Sequence, residues 1–192
     1  MEEETVPFGS VIEDITRGIR IKAADLEKMI TYDTTDIKYM NLKNMEDGHL
    51  TGEMPNLKEL EEKYKKYCIE TGNLVITKTG YPPKIMVAEI PEGLHILVSW
   101  IFYIIEVNRQ KADSNYLAAY MNSPKGRLSL ADISMGDVIP TISITELKNM
   151  KIPLPPMETQ KKIGQEYKEL VEEIKKLKAK LETAREQLDN II

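Results

Sequence analysis

The proline-rich stretch Ile152-Pro153-Leu154-Pro155-Pro156 divides this chain of 192 residues into two regions of different composition. Prolines at three of the last four positions of this stretch exclude a helix interior and stiffen the backbone. The region 157–192 contains no proline and a single glycine, and it is rich in Glu, Lys and Leu. The region before it mixes Gly, Pro and short apolar runs. We therefore predict one domain at 1–156 and a separate element at 157–192.

Apolar residues recur at alternating steps of four and three through the region 157–192, which is the a/d spacing of a coiled coil. Prolines directly before this series suit the start of a helix. At a rise of about 1.5 Å per residue, the helix would be roughly 50 Å long. So narrow and long a stripe favours a partner helix, and the alternative is a helix that lies on its own domain. The predicted dimerisation residues are Ile163, Tyr167, Leu170, Ile174, Leu177, Leu181 and Leu188.

The pattern of residues 1–156 is typical of a mixed α/β domain, so the predicted fold class is α+β with a long C-terminal helix. Strands are predicted at 37–42, 74–77 and 84–90, and the apolar, β-branched run 96–107 is placed at the sheet centre. Asp47-Gly48 is a hairpin-turn signal. Helices are predicted at 57–67, at 113–121 with Asp113 as N-cap, after Pro124, and after Ile142. A loop is predicted at 136–141.

Several functional classes are excluded by what the sequence lacks. A single cysteine, Cys68, and two histidines, His49 and His95, predict neither a disulfide framework nor a metal site. Phosphate-binding glycine loops and nucleophile-elbow motifs are absent. No apolar run reaches the roughly 18 residues of a membrane span, and the acidic start Met1-Glu2-Glu3-Glu4 is unlike a secretory signal. We expect a reduced, cytoplasmic protein that is not an enzyme and holds no cofactor.

Three basic loops stand out in a protein of net charge −5. They are the segments 16–22, 78–84 and 125–127, and they combine Arg or Lys with glycine, hydroxyl or aromatic residues. Such groups contact phosphates and read base edges, although a loop of this kind taken singly is more often a solvated surface loop. The segment Tyr81-Pro82-Pro83-Lys84 lacks the carboxamide and the final aromatic of the Asn/Asp-Pro-Pro-aromatic motif of amino-methyltransferases. Methyl transfer by this chain alone is therefore not expected.

The end of the first region resembles a known family. Residues 137–148, DVIPTISITELK, run into residues 151–163, KIPLPPMETQKKI. Together they resemble the "IP-x-IS-x-x-x-L" and "IPLPPLxEQ" segments that close a target-recognition domain in the DNA-specificity subunit of type I restriction–modification systems. The segments 39–50, 72–80 and 115–124 resemble upstream motifs of that family in the same order. Asn73 and Thr159 depart from its usual Asp and Glu, and the chain has one recognition domain and one helix where a full subunit has two of each.

The resemblance implies a half-length, non-catalytic specificity subunit. Its helix would form an antiparallel coiled coil with a second copy, and the dimer would read a split palindromic DNA site. A modification (methyltransferase) subunit with its S-adenosylmethionine, and a restriction subunit with its ATP, are the implied partners. Alternatives are a coiled-coil interaction module that binds no DNA, an inactive truncated allele, or pairing with another half-subunit. The candidate DNA contacts are Arg17, Arg20, Lys22, Lys78, Tyr81, Lys84 and Arg127.

Overall fold

The computed structural model describes residues 5–136 and 138–191, and it confirms a mixed α/β domain followed by one long helix. The strands are β1 (Thr5–Pro7), β2 (Ile12–Arg17), β3 (Ile30–Thr31), β4 (Ile37–Met40), β5 (Met45–Glu46), β6 (His49–Leu50), β7 (Asn56–Leu57), β8 (Cys68–Ile69), β9 (Leu74–Thr77), β10 (Ile85–Val87), β11 (His95–Val98), β12 (Phe102–Val107), β13 (Ser134–Met135), β14 (Thr141–Ile142) and β15 (Lys151–Pro153). The α-helices are α1 (Ala23–Met29), α2 (Ser114–Asn122), α3 (Pro124–Asp132), α4 (Ile144–Asn149) and α5 (Met157–Asp189). Short 3-10 helices cover Phe8–Val11, Leu42–Asn44 and Glu62–Tyr67.

Two sheets form the centre of the domain. The first sheet is antiparallel and has the strand order β10-β9-β12-β2. The second has the order β3-β7-β4-β11-β8, in which β4 and β11 run parallel and the other neighbours run antiparallel. One apolar cluster contains residues of both sheets, including Met40 and Val98 from the second and Phe102 from the first. The sheets therefore pack against each other.

Both faces of the first sheet are covered, as the alternation of side chains along its strands shows. In β9, Leu74 and Ile76 belong to the cluster that contains residues of α2, α3 and α4, whereas Val75 belongs to the cluster between the sheets. In β12, Ile105 and Ile104 divide in the same way. Successive strand residues point to opposite faces. Each fully buried aliphatic side chain contributes about 1.5–3 kcal/mol, so this double covering is a large part of the domain's stability.

The apolar run 96–107 lies inside sheets as predicted, but it forms two strands instead of one. It leaves β11 of the second sheet, turns at Ser99–Ile101, and enters β12 of the first sheet. Since both strands are covered on both faces, the whole run is apolar and its periodicity carries no signal of the break.

The predicted helix at 57–67 is wrong in its first half. Leu57 is fully buried in β7, where it pairs with Ile30, so the chain is extended there. Only Glu62–Tyr67 is helical, as a 3-10 helix whose Tyr64 and Tyr67 pack on the second sheet. The i, i+3 spacing of the two tyrosines fits three residues per turn.

The strands predicted at 37–42 and 84–90 are shorter, at Ile37–Met40 and Ile85–Val87, and Thr141 of the predicted loop lies in β14, whereas the turn and the remaining helices are confirmed. Asp47 and Gly48 have φ of 43° and 79° and join β5 to β6 as the predicted hairpin turn. Asp113 caps α2 by accepting a hydrogen bond from the backbone nitrogen of Tyr116 at 2.9 Å. Helices α3 and α4 follow Pro124 and Ile142 as expected. The predicted loop at 136–141 includes Asp137, which lies outside the described residues, as do residues 1–4 and 192.

Helix α5 begins at Met157, and its first turns are packed against α2. Gln160 is buried; its Oε1 accepts a hydrogen bond from the backbone nitrogen of Asp113 at 3.1 Å, and its Nε2 donates to the carbonyl of Pro155 at 2.8 Å. One turn later, a Cβ atom added at Gly164 would lie 2.3 Å from Asp113 Oδ1 and 3.0 Å from the backbone nitrogen of Tyr116. The absence of a side chain at Gly164 therefore permits the close approach of the two helices.

The variant Gly164→Ala tests this close approach. Helix propensity alone predicts a gain of about 1 kcal/mol. The added methyl group, however, overlaps the carboxylate that caps α2, and overpacking of this kind costs about 1–3 kcal/mol, with about 1 kcal/mol more if the cap is lost. We expect a net destabilisation of about 1–2 kcal/mol in urea unfolding. The exposed neighbour Lys162→Ala is the control, and a stabilised Gly164→Ala would contradict the observed packing.

Candidate nucleic-acid interface

Three chain segments meet at the turn Ser99–Ile101 that joins the two sheets. The backbone nitrogen of Gly18 donates to the carbonyl of Phe102 at 3.0 Å, and that of Lys78 donates to the carbonyl of Ile101 at 2.8 Å. A Cβ atom added at Gly18 would lie 2.1 Å from the carbonyl oxygen of Ser99. Only glycine therefore fits at position 18. These contacts fix the loop after β2 and the loop after β9 against the same turn.

Trp100 lies at the tip of this turn and carries two of the predicted cations on its ring. The Nζ atom of Lys78 is 4.2 Å from the ring centroid, and the guanidinium carbon of Arg20 is 5.0 Å from it. Both distances are within the range of cation–π attraction. Burial lowers the pKa of Lys78, and the positive charges of Arg17 and Arg20 lower it further. We call Arg17, Arg20, Lys78 and Trp100 the Trp100 cluster.

The cations of the Trp100 cluster lack acidic partners in the part of the chain that the structure describes. The ion pairs there involve cations elsewhere, such as Lys28 with Asp25 and Lys65 with Glu62. None of them involves Arg17, Arg20 or Lys78. Like charges held close without counter-charges repel one another, and this repulsion from Arg17 and Arg20 adds to burial, the larger cause, in lowering the pKa of Lys78. The cluster is thus a local positive site on an acidic protein.

The candidates Tyr81, Lys84 and Arg127 lie at a second place. They line a cavity of about 570 Å³ that is bounded on another side by α5. Tyr81 and Arg127 are exposed there. The ammonium of Lys84 instead donates to the carbonyl oxygen of Met45 at 2.7 Å, so Lys84 holds the hairpin β5–β6 against the loop after β9. This hydrogen bond gives Lys84 a structural role, and its contact with DNA stays a prediction.

Lys22 belongs to neither group. It is exposed at the N-terminal cap of α1, and its side chain forms no ion pair or hydrogen bond with the described residues. The sequence-based set of seven thus separates into Arg20 and Lys78 at the Trp100 ring with the nearby charge of Arg17, three residues at the cavity, and one isolated lysine.

The sequence analysis missed two features of this surface. One is Trp100, for which the signal was the solitary tryptophan beside a serine within an aliphatic run. The other is the hairpin of β13 and β14, which is hydrogen-bonded to the loop after β9. The backbone nitrogen of Ile142 donates to the carbonyl of Lys78 at 2.9 Å, and the backbone nitrogen of Gly80 donates to the carbonyl of Pro140 at 2.9 Å. Its tip exposes Val138 and Ile139 beside the cationic loops.

Helix α5 presents one apolar stripe to solvent. The members of this exposed stripe have between 37% and 67% of their surface exposed, and they are Ile163, Leu170, Ile174, Leu177, Leu181 and Leu188. Tyr167, the seventh predicted dimerisation residue, lies instead on its own domain, where its hydroxyl accepts a hydrogen bond from Asn122 Nδ2 at 2.9 Å. Burial raises the pKa of Tyr167.

A different face of α5 follows the domain. Lys168 pairs with Glu89 at 2.5 Å, and further along the helix Lys178 pairs with Glu46 and with Asp47 of the β5–β6 hairpin. The alternative in which the helix lies on its own domain is therefore correct for this face. It leaves the exposed stripe without a partner among the described residues.

The remaining titratable candidates do not form a site. Cys68 is half-buried in β8, and burial raises the pKa of its thiol to about 11, which keeps it protonated at neutral pH. Within residues 5–136 and 138–191, no group of three or more His, Cys, Asp or Glu side chains is placed to hold a metal ion. No helix in the same ranges is both long and apolar enough to cross a membrane.

Comparisons with known proteins identify the class to which this architecture belongs. The fold of a two-sheet domain that carries a long C-terminal helix is shared with solved S subunits of type I restriction–modification systems. The S subunit of the M. genitalium type I system superposes with a TM-score of 0.65 at 15% identity, over 95% of this chain and 42% of that one. The HsdS subunit of Thermoanaerobacter tengcongensis superposes with a TM-score of 0.61 at 21% identity, and the match covers 96% of this chain and 46% of that one. A third structure, from a study of type I complex assembly, superposes with a TM-score of 0.64 at 18% identity, and the match covers 96% of this chain and 43% of that one.

Sequence comparison gives the family itself. The model of the type I restriction modification DNA specificity domain matches residues 4–183, so the chain belongs to that family. The MjaX specificity subunit of a type I restriction enzyme from Methanocaldococcus jannaschii is 31% identical over 91 residues, which are 46% of this chain and 21% of that protein. The chain thus spans less than half the length of these relatives. Specificity subunits are the non-catalytic members of type I systems, in agreement with the expectation that the chain is not an enzyme.

The variant Gly18→Ala tests the meeting of the three segments. Because its methyl group would overlap a backbone carbonyl and not a flexible side chain, we expect a loss of about 3 kcal/mol in unfolding free energy. We also expect a shift in the emission of Trp100, the sole tryptophan of the chain. The control is Gly9→Ala, whose added atom would meet the Cβ and the carbonyl oxygen of Lys148, both at 3.1 Å, and should cost less because these contacts are much longer than the 2.1 Å at Gly18. Equal stability of the two variants would disprove the close packing at Gly18.

Proposed function

We propose that this chain is the DNA-reading part of a type I restriction–modification complex. Residues 1–156 form the target-recognition domain, which binds double-stranded DNA, and residues 157–192 form the spacer helix through which two copies dimerise. The modification subunit supplies S-adenosylmethionine-dependent methyl transfer, and a restriction subunit, where present, supplies the ATP-driven motor. The chain directs these activities to its site in the cytoplasm and contributes no catalytic step.

The Trp100 cluster is the observation that carries DNA recognition. Arg17, Arg20 and Lys78 are held by backbone hydrogen bonds at one place, with no carboxylate paired to them among the described residues. Such a concentration of like charge is unfavourable in the free protein and is relieved by a polyanion. Arg and Lys are also the side chains that pair with guanine edges in the major groove. The cluster therefore has the chemistry to contact both phosphates and bases.

The distribution of charge supports recognition of particular sequences over indiscriminate DNA binding. The chain carries 26 basic and 31 acidic residues, so its bulk charge opposes a polyanion. Many lysines outside the cluster are neutralised by neighbours, including Lys63 by Glu61 and Lys175 by Glu172. A small cationic site on such a background gives little general affinity, and the modification subunit would supply the remainder.

The exposed stripe of α5 supports dimerisation. Six apolar side chains along one face of a helix are covered at least cost by a second helix with the same spacing. In an antiparallel pair, a two-fold axis relates the copies, so each presents the same Trp100 cluster to DNA. The two half-sites would then be inverted copies of one sequence, separated by bases that neither domain contacts.

A methylation map of the source genome, with this gene intact and deleted, tests the proposed function. Loss of methylation at a split palindrome on deletion would support recognition by a homodimer. Loss at an asymmetric split site would retain DNA recognition but replace the homodimer by a mixed pair. An unchanged map, also on expression with the modification subunit, would favour an inactive allele or an interaction module that binds no DNA.

Alanine variants of the cluster should weaken DNA binding selectively. In the assembled complex, Arg17→Ala, Arg20→Ala and Lys78→Ala should each cost about 1–3 kcal/mol in binding to the methylated sequence, measured by fluorescence anisotropy. A base-reading residue should also relax one position of the site. Lys161→Ala, at an exposed position of α5, is the control. Lys84→Ala should lower the unfolding free energy instead, because its ammonium bonds to the Met45 carbonyl. Parent-like binding by all three cluster variants would exclude this surface.

Charged substitutions in the exposed stripe should produce monomers. Leu177→Glu and Leu181→Glu place carboxylates in the proposed helix–helix contact, where an unpaired buried charge is strongly unfavourable. Sedimentation analysis should show a monomer for the double variant at concentrations where the parent is a dimer. Lys176→Glu, on the opposite face of α5, controls for the change of charge and should leave the dimer intact. A dimer that survives the double substitution would refute the use of this stripe.

A further inference from the structure

We infer that Trp100 is a positioning residue for DNA recognition, whose ring holds Arg20 and Lys78 in one fixed arrangement before DNA arrives. The inference rests on the proposed function. It adds Trp100 as a residue that determines specificity indirectly, by positioning Arg20 and Lys78. The observation behind it is that the partly exposed ring of Trp100 contacts Arg20 from the loop after β2 and Lys78 from the loop after β9.

Packing does not account for the position of Trp100. Val98 and Phe102, two residues before and after it, are completely buried, whereas Trp100 is 37% exposed and belongs to none of the three apolar clusters. A large aromatic side chain at the tip of a tight turn would be better covered in the core. What its ring contacts instead are the ammonium of Lys78 and the guanidinium of Arg20.

The two cations come from loops that are far apart in sequence. Arg20 follows Gly18 and Ile19, whose backbone nitrogens donate to Phe102 and Val98. Lys78 follows β9, and its nitrogen donates to Ile101. The backbone thus brings both loops to the Trp100 turn, but it leaves their long side chains free to rotate. The ring supplies the missing constraint, because its electron-rich face attracts both charged groups.

The consequence is preorganisation of the cationic groups. Arg20 and Lys78 lie on the same ring and carry like charges, so they repel each other, and without the ring they would move apart into solvent. Reading a base edge requires a donor at a defined position, and ordering a long side chain at the moment of binding lowers affinity. Contacts to phosphate tolerate far more movement. Loss of the ring should therefore reduce discrimination between sequences more than it reduces binding to DNA in general.

A substitution series at Trp100 in the assembled complex tests the inference. Trp100→Phe keeps a weaker aromatic face, and Trp100→Leu keeps apolar bulk without one. The measured quantity is the ratio of affinities for the methylated sequence and for a scrambled duplex of equal length. We expect Trp100→Leu to lower this ratio roughly tenfold, Trp100→Phe to fall between it and the parent, and the salt dependence of binding to the scrambled duplex to stay unchanged. Equal affinity ratios for the Trp100→Leu variant and the parent would overturn the inference.

A double-mutant cycle separates positioning from a merely structural role. If the ring acts through Lys78, the variant Lys78→Ala/Trp100→Leu should discriminate no worse than Lys78→Ala alone. Fully additive losses would overturn the inference. Trp100→Leu should also match the parent in thermal unfolding, since the ring is outside the core.

An NMR measurement on the full chain without DNA distinguishes failure of this inference from failure of the proposed function. In the parent, ring-current shifts should move the Lys78 ε and Arg20 δ proton resonances upfield, and the shifts should vanish in Trp100→Leu. Random-coil resonances for both side chains in the parent would overturn the inference whatever the chain does to DNA. If the resonances are shifted but the parent complex shows no sequence preference, the proposed function fails and the inference with it.

Discussion

The close approach of Gly18 to the carbonyl of Ser99 is the constraint on which the structure depends. At this turn the chain leaves the second sheet and enters the first. The segment after β2 is hydrogen-bonded to both sides of the turn, through Gly18 to Phe102 and through Ile19 to Val98. A side chain at position 18 would separate that segment from the turn. The inner strand β12 would lose its neighbour β2, and the loop that carries Arg20 would leave the ring of Trp100. One backbone contact thus serves both the joining of the sheets and the position of the cationic surface.

The features that were predictable from sequence are those with local physical causes. The proline-rich stretch and the heptad spacing predicted α5, Asp113 predicted the start of α2, and Asp47-Gly48 predicted a hairpin, because each signal acts within a few residues. The break in the run 96–107 was not predictable, since both sheets are buried on both faces and alternation vanishes. The role of Lys84 depends on Met45, and that of Lys78 depends on Trp100. Such contacts between distant segments leave no trace in composition or period.

Helix α5 shows how one periodic pattern can serve two interfaces. The heptad series includes Tyr167 together with residues of the exposed stripe, yet Tyr167 packs on its own domain. Successive residues of an α-helix are about 100° apart, so Val171, which faces the β5–β6 hairpin, and Ile174, in the exposed stripe, are separated by roughly 60° around the axis. The domain therefore packs against one side of the helix, and the adjacent side stays exposed to solvent. A helix held in this way has a fixed direction relative to its domain, and in the proposed dimer this direction would set the distance between the two DNA-reading surfaces.

The net negative charge of the chain is compatible with DNA recognition when affinity and specificity are considered separately. Specificity is a difference between two binding free energies, and general attraction to phosphate contributes equally to both. An acidic surface lowers the affinity for every sequence, whereas three cations fixed around a turn favour those sequences whose acceptors coincide with them. The repulsion among Arg17, Arg20 and Lys78 increases this contrast, because only a ligand that reaches all three relieves it fully. A surface of this kind discriminates best when another subunit holds the DNA, which is the division of labour that the proposed function assigns to the modification subunit.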